Sequence, residues 1–137
     1  LCETVAGGTS VCAAVGYYDP ATKTATWANA GFPPVLVHGA AGSTLFRAEG
    51  PPLGIVPGMD FPIQQATLTD RSLYLFSDGV TDARDAARNV LGVDGVVDLI
   101  VRHAQWRPET RLRRIVGELR RRELGDDTTL LMIEAAA

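Results

Sequence analysis

Long hydrophobic runs are missing from this chain, as are most of the residues that staple or metallate small domains. No apolar stretch approaches the roughly 20 residues needed to cross a bilayer, and no charged-then-apolar signal segment opens the sequence, so no membrane partner is expected. Cysteine occurs only at Cys2 and Cys12. Two thiols make no disulfide framework in a domain of this size, so both are expected to be free, as suits a reducing, cytoplasmic setting. Histidine is equally scarce. His38 and His103 stand apart from each other and from the cysteines, and neither is given a metal or catalytic role. Positive charge is not in excess either: the formal net charge is -3, which argues against nucleic acid as a partner. Internal repeats, low-complexity segments and linkers are absent.

What remains is an ordinary globular composition. The 137 residues are 46% hydrophobic and 21% charged, enough for one domain with one real core. The N-terminal half reads as hairpins. Residues 9–18 form an apolar, β-prone run expected to be a buried strand. Asp19-Pro20 turns the chain, because Asp caps and Pro fixes φ. Residues 24–28 return as the partner strand. Further strands are expected at 35–38, 43–48, 61–68 and 72–76, with tight turns at 39–42 and 69–71.

The C-terminal half changes period. Val96, Val97, Leu99, Ile100 and Ala104 fit one helical face, with Asp94 as its expected N-cap. Pro108 and Glu109 suit the first turn of a second helix. Leu112, Ile115, Val116 and Leu119 form its apolar stripe, Arg120 to Arg122 suit its end, and Gly125 is its expected stop. The arginines between Arg102 and Arg122 read as a solvated helix face rather than a nucleic-acid patch. Trp27 and Trp106 read as packing residues. Residues 128–134 form a last strand. Strands, then helices, then a strand imply an α+β fold with sheet layered against helix.

Two strand ends carry acids. The apolar run LYLF ends in Ser77-Asp78-Gly79, with Asp82 and Asp85 close behind, and Asp126-Asp127 precede the last strand. If these two strands are antiparallel neighbours, the acids meet at one edge of a sheet. Mg²⁺ and Mn²⁺ prefer such carboxylate oxygens, and a cation offsets the repulsion between close carboxylates. Taken singly, Asp-Gly or Asp-Asp beside a strand is more often a turn.

The blocks ATWANAGFPPVLV, GPPLGI, LYLFSDGVTDARD, LGVDGVVDLI and GDDTTLLMI, in this order, resemble the PPM-type metal-dependent protein phosphatases, in their SpoIIE-like and RsbU-like bacterial branch. The resemblance spans about Thr9 to Glu134. It implies an αββα sandwich of two antiparallel sheets with flanking helices. It implies removal of phosphate from phosphoserine or phosphothreonine on a regulatory protein, such as an anti-sigma-factor antagonist. It implies two Mn²⁺ or Mg²⁺ ions, which share and activate a water for in-line attack and neutralise phosphoryl charge. Asp78 and Asp126 match metal ligands, Asp127 matches a less certain one, and Gly79 matches the turn glycine. Asp82 matches an acid with no assigned catalytic role.

Two departures stand out. The family has Gly-His where this chain has Gly31-Phe32, and its bridging aspartate, in an early acidic strand, has no counterpart before Val11. Leu1 is not an initiator methionine. The single domain, residues 1–137, is therefore expected to be the C-terminal portion of a phosphatase domain, weak or inactive alone. One alternative is a non-catalytic phosphatase-like module that binds or regulates a phosphoprotein. Another is a haloacid-dehalogenase-like phosphatase, but its nucleophilic aspartate would fall at Phe76, and it requires a parallel sheet.

Overall fold

Turn chemistry sets the hairpins. The computed structural model describes residues 8–136; Cys2 and Glu3 lie outside the described residues. Strand β1 (Ala13–Asp19) pairs antiparallel with β2 (Thr24–Ala30). In the turn between them the Asp19 Oδ1 accepts the N–H of Ala21 at 2.9 Å, an Asx turn of the kind aspartate favours. A second hairpin joins β3 (Val35–Gly39) to β4 (Gly42–Phe46). Strand β5 (Ile63–Thr67) lies beside β2, and β6 (Arg71–Phe76) beside β3. Asp70, at φ 54°, turns the chain between them. Strand β7 (Leu130–Glu134) closes against β6. The orders are β1-β2-β5 and β4-β3-β6-β7, and every strand pair is antiparallel. That rules out the parallel sheet required by the haloacid-dehalogenase-like alternative.

Three helices follow β6: α1 (Asp78–Thr81), α2 (Gly92–Arg102) and α3 (Pro108–Leu119). Alternation along β3 and β6 sorts the core into two layers. Val35, Val37 and Leu73 face Ala25, Trp27 and Ala66 of the other sheet. Leu36, Tyr74 and Phe76 face Val96, Leu99 and Ile100 of α2 and Ile115 and Leu119 of α3. Covered on both sides, these strands have no polar face, which is why VLV and LYLF read as unbroken apolar runs. The fold is α+β with two face-to-face antiparallel sheets, as expected. Among the described residues the helices cover only the four-stranded sheet.

Four local expectations are corrected. First, β1 is not buried: Val15 and Tyr17 are 72% and 69% exposed. It is an edge strand, and the outer face of its sheet carries no helix among the described residues. Second, Asp94 does not cap α2. The N-cap position is Leu91, and Asp94 sits within the first turn, where its charge still favours the helix dipole. Third, α3 ends at Leu119 with Arg120 as C-cap, so Gly125 is not its stop. Fourth, the arginines of α3 do not all face solvent.

Arg111 is buried. Its guanidinium donates to Ser72 Oγ and Tyr74 Oη, both at 3.1 Å, to Glu134 Oε2 at 3.2 Å and to the Trp106 carbonyl at 2.9 Å. The buried Ser72 and Tyr74 hydroxyls would otherwise lack this donor, and that need, with the Glu134 charge alongside, outweighs the residue's preference for water. The two tryptophans divide. Trp27 is buried edge-on to Phe46, with ring centroids 5.1 Å apart. Trp106 is part-exposed under the Arg114 guanidinium.

Candidate functional site

The acids of interest sit where β6 leaves the sheet and β7 enters it. The condition set by the sequence is met: β6 and β7 are antiparallel neighbours, with Phe76 opposite Leu130. The junction continues one step beyond the strands. Ser77 N–H donates to the Thr129 carbonyl at 3.0 Å, and Thr129 N–H donates to Ser77 Oγ at 3.0 Å. Ser77 occupies the N-cap position of α1 but makes no side-chain cap, because its hydroxyl is spent on this crosslink. Neither the crosslinking role of Ser77 nor α1 carries a signal in the sequence. A four-residue helix is too short to show a period.

Gly79 works by lacking a side chain. It is buried in α1, and a Cβ there would collide with the Asp127 carbonyl oxygen. The two acidic segments approach this closely only because position 79 is glycine. The absence of a Cβ matters here, since Gly79 is not among the glycines with positive φ.

Asp78, Asp126 and Asp127 are all exposed at this edge. Asp78 opens onto a cavity of about 370 Å³ shared with Thr81, Val93, Phe32 and the two prolines after it. Asp126 opens onto a separate hollow with Asp82, Arg84 and Glu123, and its Oδ1 accepts the Asp127 N–H at 2.7 Å. Asp82, unassigned from sequence, is thus a neighbour of Asp126. Asp85 belongs to a loop instead. Its Oδ1 accepts the Asn89 N–H at 2.9 Å, and that bond is the first cause holding its carboxyl below the ordinary range.

The donors are oxygens of the sort a hard cation takes, but Mg²⁺ or Ca²⁺ surrounds itself with six or more ligands. Among the described residues no group of three or more His, Cys, Asp or Glu converges. Among the described residues the aspartates at this edge therefore offer oxygen donors on two adjoining segments without forming a converged carboxylate cluster. The histidines serve elsewhere. His38 Nδ1 bonds Ser43 Oγ at 2.7 Å, and His103 Nε2 bonds Glu118 at 2.6 Å, tying α2 to α3. Among the described residues no helix is long and apolar enough to cross a membrane.

Comparison with known proteins identifies the fold and the family. The RsbU and RsbW domains of Rv1364c from Mycobacterium tuberculosis match with a TM-score of 0.76 at 27% identity, over 95% of this chain and 37% of that one. The SiaA-PP2C domain of Pseudomonas aeruginosa matches with a TM-score of 0.77 at 17% identity, over 94% and 53%. The phosphatase domain of the cell fate determinant SpoIIE from Bacillus subtilis, presoaked with Mn, matches with a TM-score of 0.63 at 16% identity, over 92% and 56%. This chain spans less than two thirds of each of these solved chains. The latter two likenesses speak to the fold alone. No curated protein sequence matches. The family model for stage II sporulation protein E matches residues 1–136. With the ordered motifs and the shared fold, that match over nearly the whole length means that the chain belongs to the SpoIIE family of PP2C-type phosphatase domains.

Proposed function

We propose that this chain contributes to a metal-dependent phosphatase acting on phosphoserine or phosphothreonine of a regulatory protein, such as an anti-sigma-factor antagonist. In this reading Asp78 and Asp126 hold Mn²⁺ or Mg²⁺, with Asp127 as a further candidate ligand. The observation that carries it is the clamp between Ser77 and Thr129. It fixes two acidic segments side by side at the rim of a sheet, where like charges repel unless a cation or water intervenes. Family membership and the RsbU and RsbW domains of the mycobacterial relative support the phosphatase class and a regulatory substrate.

The chain's own residues do three things in this reading. Gly79 lets the two segments approach, Ser77 locks their register, and the aspartates supply oxygens. When bound, the ions would supply an activated water and charge neutralisation. Because no third acidic, histidine or cysteine ligand converges with these aspartates among the described residues, this chain by itself is proposed to be weak or inactive.

Calorimetric Mn²⁺ titration, paired with hydrolysis of a phosphoserine peptide, tests the reading. Asp78→Asn and Asp126→Asn are each expected to weaken Mn²⁺ binding by about tenfold or more, given that even outer-sphere partners of metal ligands are worth 10–100-fold. Hydrolysis by a longer natural form, where one exists, is expected to be Mn²⁺-dependent and lost in Asp78→Asn. Turnover that survives Asp78→Asn would remove the ligand assignment. Strong turnover by this chain would refute the proposal that it is weak or inactive alone. Mn²⁺ binding without turnover in the longer form would favour a non-catalytic, phosphoprotein-binding module.

A further inference from the structure

The cavity at Asp78 has a wall that metal chemistry leaves unexplained. The loop from β2 to β3 builds it, and three features hold that loop. Asn29 is buried; its Oδ1 accepts the Phe32 N–H at 2.9 Å and its Nδ2 donates to the Pro33 carbonyl at 3.2 Å. Gly31 adopts φ +68°, and a Cβ there would lie 2.6 Å from Pro52 Cγ. Pro33 and Pro34 have ring-fixed φ. Such a loop pays little entropy to hold one shape when a ligand arrives.

It presents Phe32, Pro33 and Pro34 to the cavity. Val93 adds an apolar contribution from α2, and Asp78 and Thr81 are the polar lining from α1. At about 370 Å³ the space lies within the range of small-ligand pockets. Cys12 and Gly31 complete the lining, and no lysine, arginine or histidine is part of it, so an acidic side chain lying against the Phe32 and proline wall would be desolvated with no protein cation beside it. A large apolar side chain would instead replace water against the Phe32 ring and the prolines.

We infer that Phe32, Pro33, Pro34 and Val93 form a specificity wall that receives a large apolar side chain flanking the phosphorylated serine or threonine. This rests on the phosphatase reading and adds the class of substrate sequence to it. Phe32 is a specificity residue here, with no part in bond breaking.

Binding tests the inference without requiring turnover. Fluorescein-labelled peptides carrying a non-hydrolysable phosphonate analogue of phosphoserine, flanked by Leu or by Asp on either side, are titrated against this chain with Mn²⁺ and followed by anisotropy. Matched peptides with plain serine serve as controls. The Leu-flanked phosphonate peptide is expected to bind at least about tenfold more tightly than the Asp-flanked one, equivalent to about 1.4 kcal/mol. Phe32→Ala is expected to erase that preference and Phe32→Tyr to keep most of it, with circular dichroism confirming that both variants fold. Equal binding of the two peptides, equal loss of both in Phe32→Ala, or no binding of any peptide would each overturn the wall. A Phe32-dependent preference for Leu that is the same with plain serine would support the wall and count against the phosphatase reading.

Discussion

At the residue scale, small side chains and single hydrogen bonds do most of the shaping. Gly79 is the clearest case, because the obstacle facing it is a backbone carbonyl, which cannot swing aside as a flexible side chain would. Gly79→Ala is expected to cost about 1–3 kcal/mol, as overpacking does, and to weaken Mn²⁺ binding as the two segments part. Urea denaturation and calorimetry on the one variant check both effects. His38 gives a pH dependence. Burial first, then the nearby Arg111 charge, holds its imidazole below the ordinary value of 6.5. The unfolded chain therefore takes up a proton that the folded chain resists. The contribution of neutral His38 to stability is full above pH 6.5, declines as the pH falls through 6.5, and stops declining once the pH passes its lower native value. Urea midpoints at pH 8 and pH 5 are expected to fall further apart in the wild type than in His38→Gln.

Elements are joined at this molecule's sheet face by a buried cation. Arg111 reaches from α3 to β6 and β7 at once. Removing it strands two buried hydroxyls and leaves Glu134 without its partner. Because Glu134 keeps about a third of its side chain in water, Arg111→Ala is expected to cost about 3 kcal/mol, the low end for a broken buried pair. Arg111→Met, which restores volume and removes the charge, is expected to cost less. Thermal denaturation of the two variants compares them. The stripe Leu112, Ile115, Val116 and Leu119 predicted α3, yet it gave no hint that Arg111, one position earlier, turns inward. Helical period shows which side is apolar; it does not show that polar groups wait on the sheet opposite. The residues 9–18 run departs from expectation for the reverse reason. Its apolar content promised burial, and only the count of layers shows that nothing among the described residues lies over Val15 and Tyr17.

Across the whole molecule, β3 and β6 belong to both cores. Leu73 packs between the sheets while Tyr74 and Phe76 pack under the helices, so neither layer can loosen without disturbing the same strand. The two cores are therefore expected to unfold together. In a Trp106→Phe background, Trp27 fluorescence reports the inter-sheet core and far-ultraviolet circular dichroism reports the helices; their urea transitions are expected to coincide. Leu73→Ala and Ile115→Ala, one in each core, are expected to lower both signals together, each by about 2–5 kcal/mol. Separate midpoints would mean that the layers are independent.

The sequence by itself determined the strands, the two long helices and the hairpin turns, and it set acids just after β6 and just before β7. Those features are local: period, turn residues and acid-bearing strand ends are written within a few residues of one another, and the ordered motifs pointed to the family. Tertiary structure decided what depends on contacts between distant segments. It showed that the β6 and β7 ends are locked by Ser77 and Thr129, that Gly79 is required by the Asp127 carbonyl, and that Arg111 is inside. It also showed that Phe32 shares a cavity with Asp78, which lies far along the chain from it. No spacing rule encodes such meetings, because they arise when sheets stack and bring the ends of separate strands to one rim.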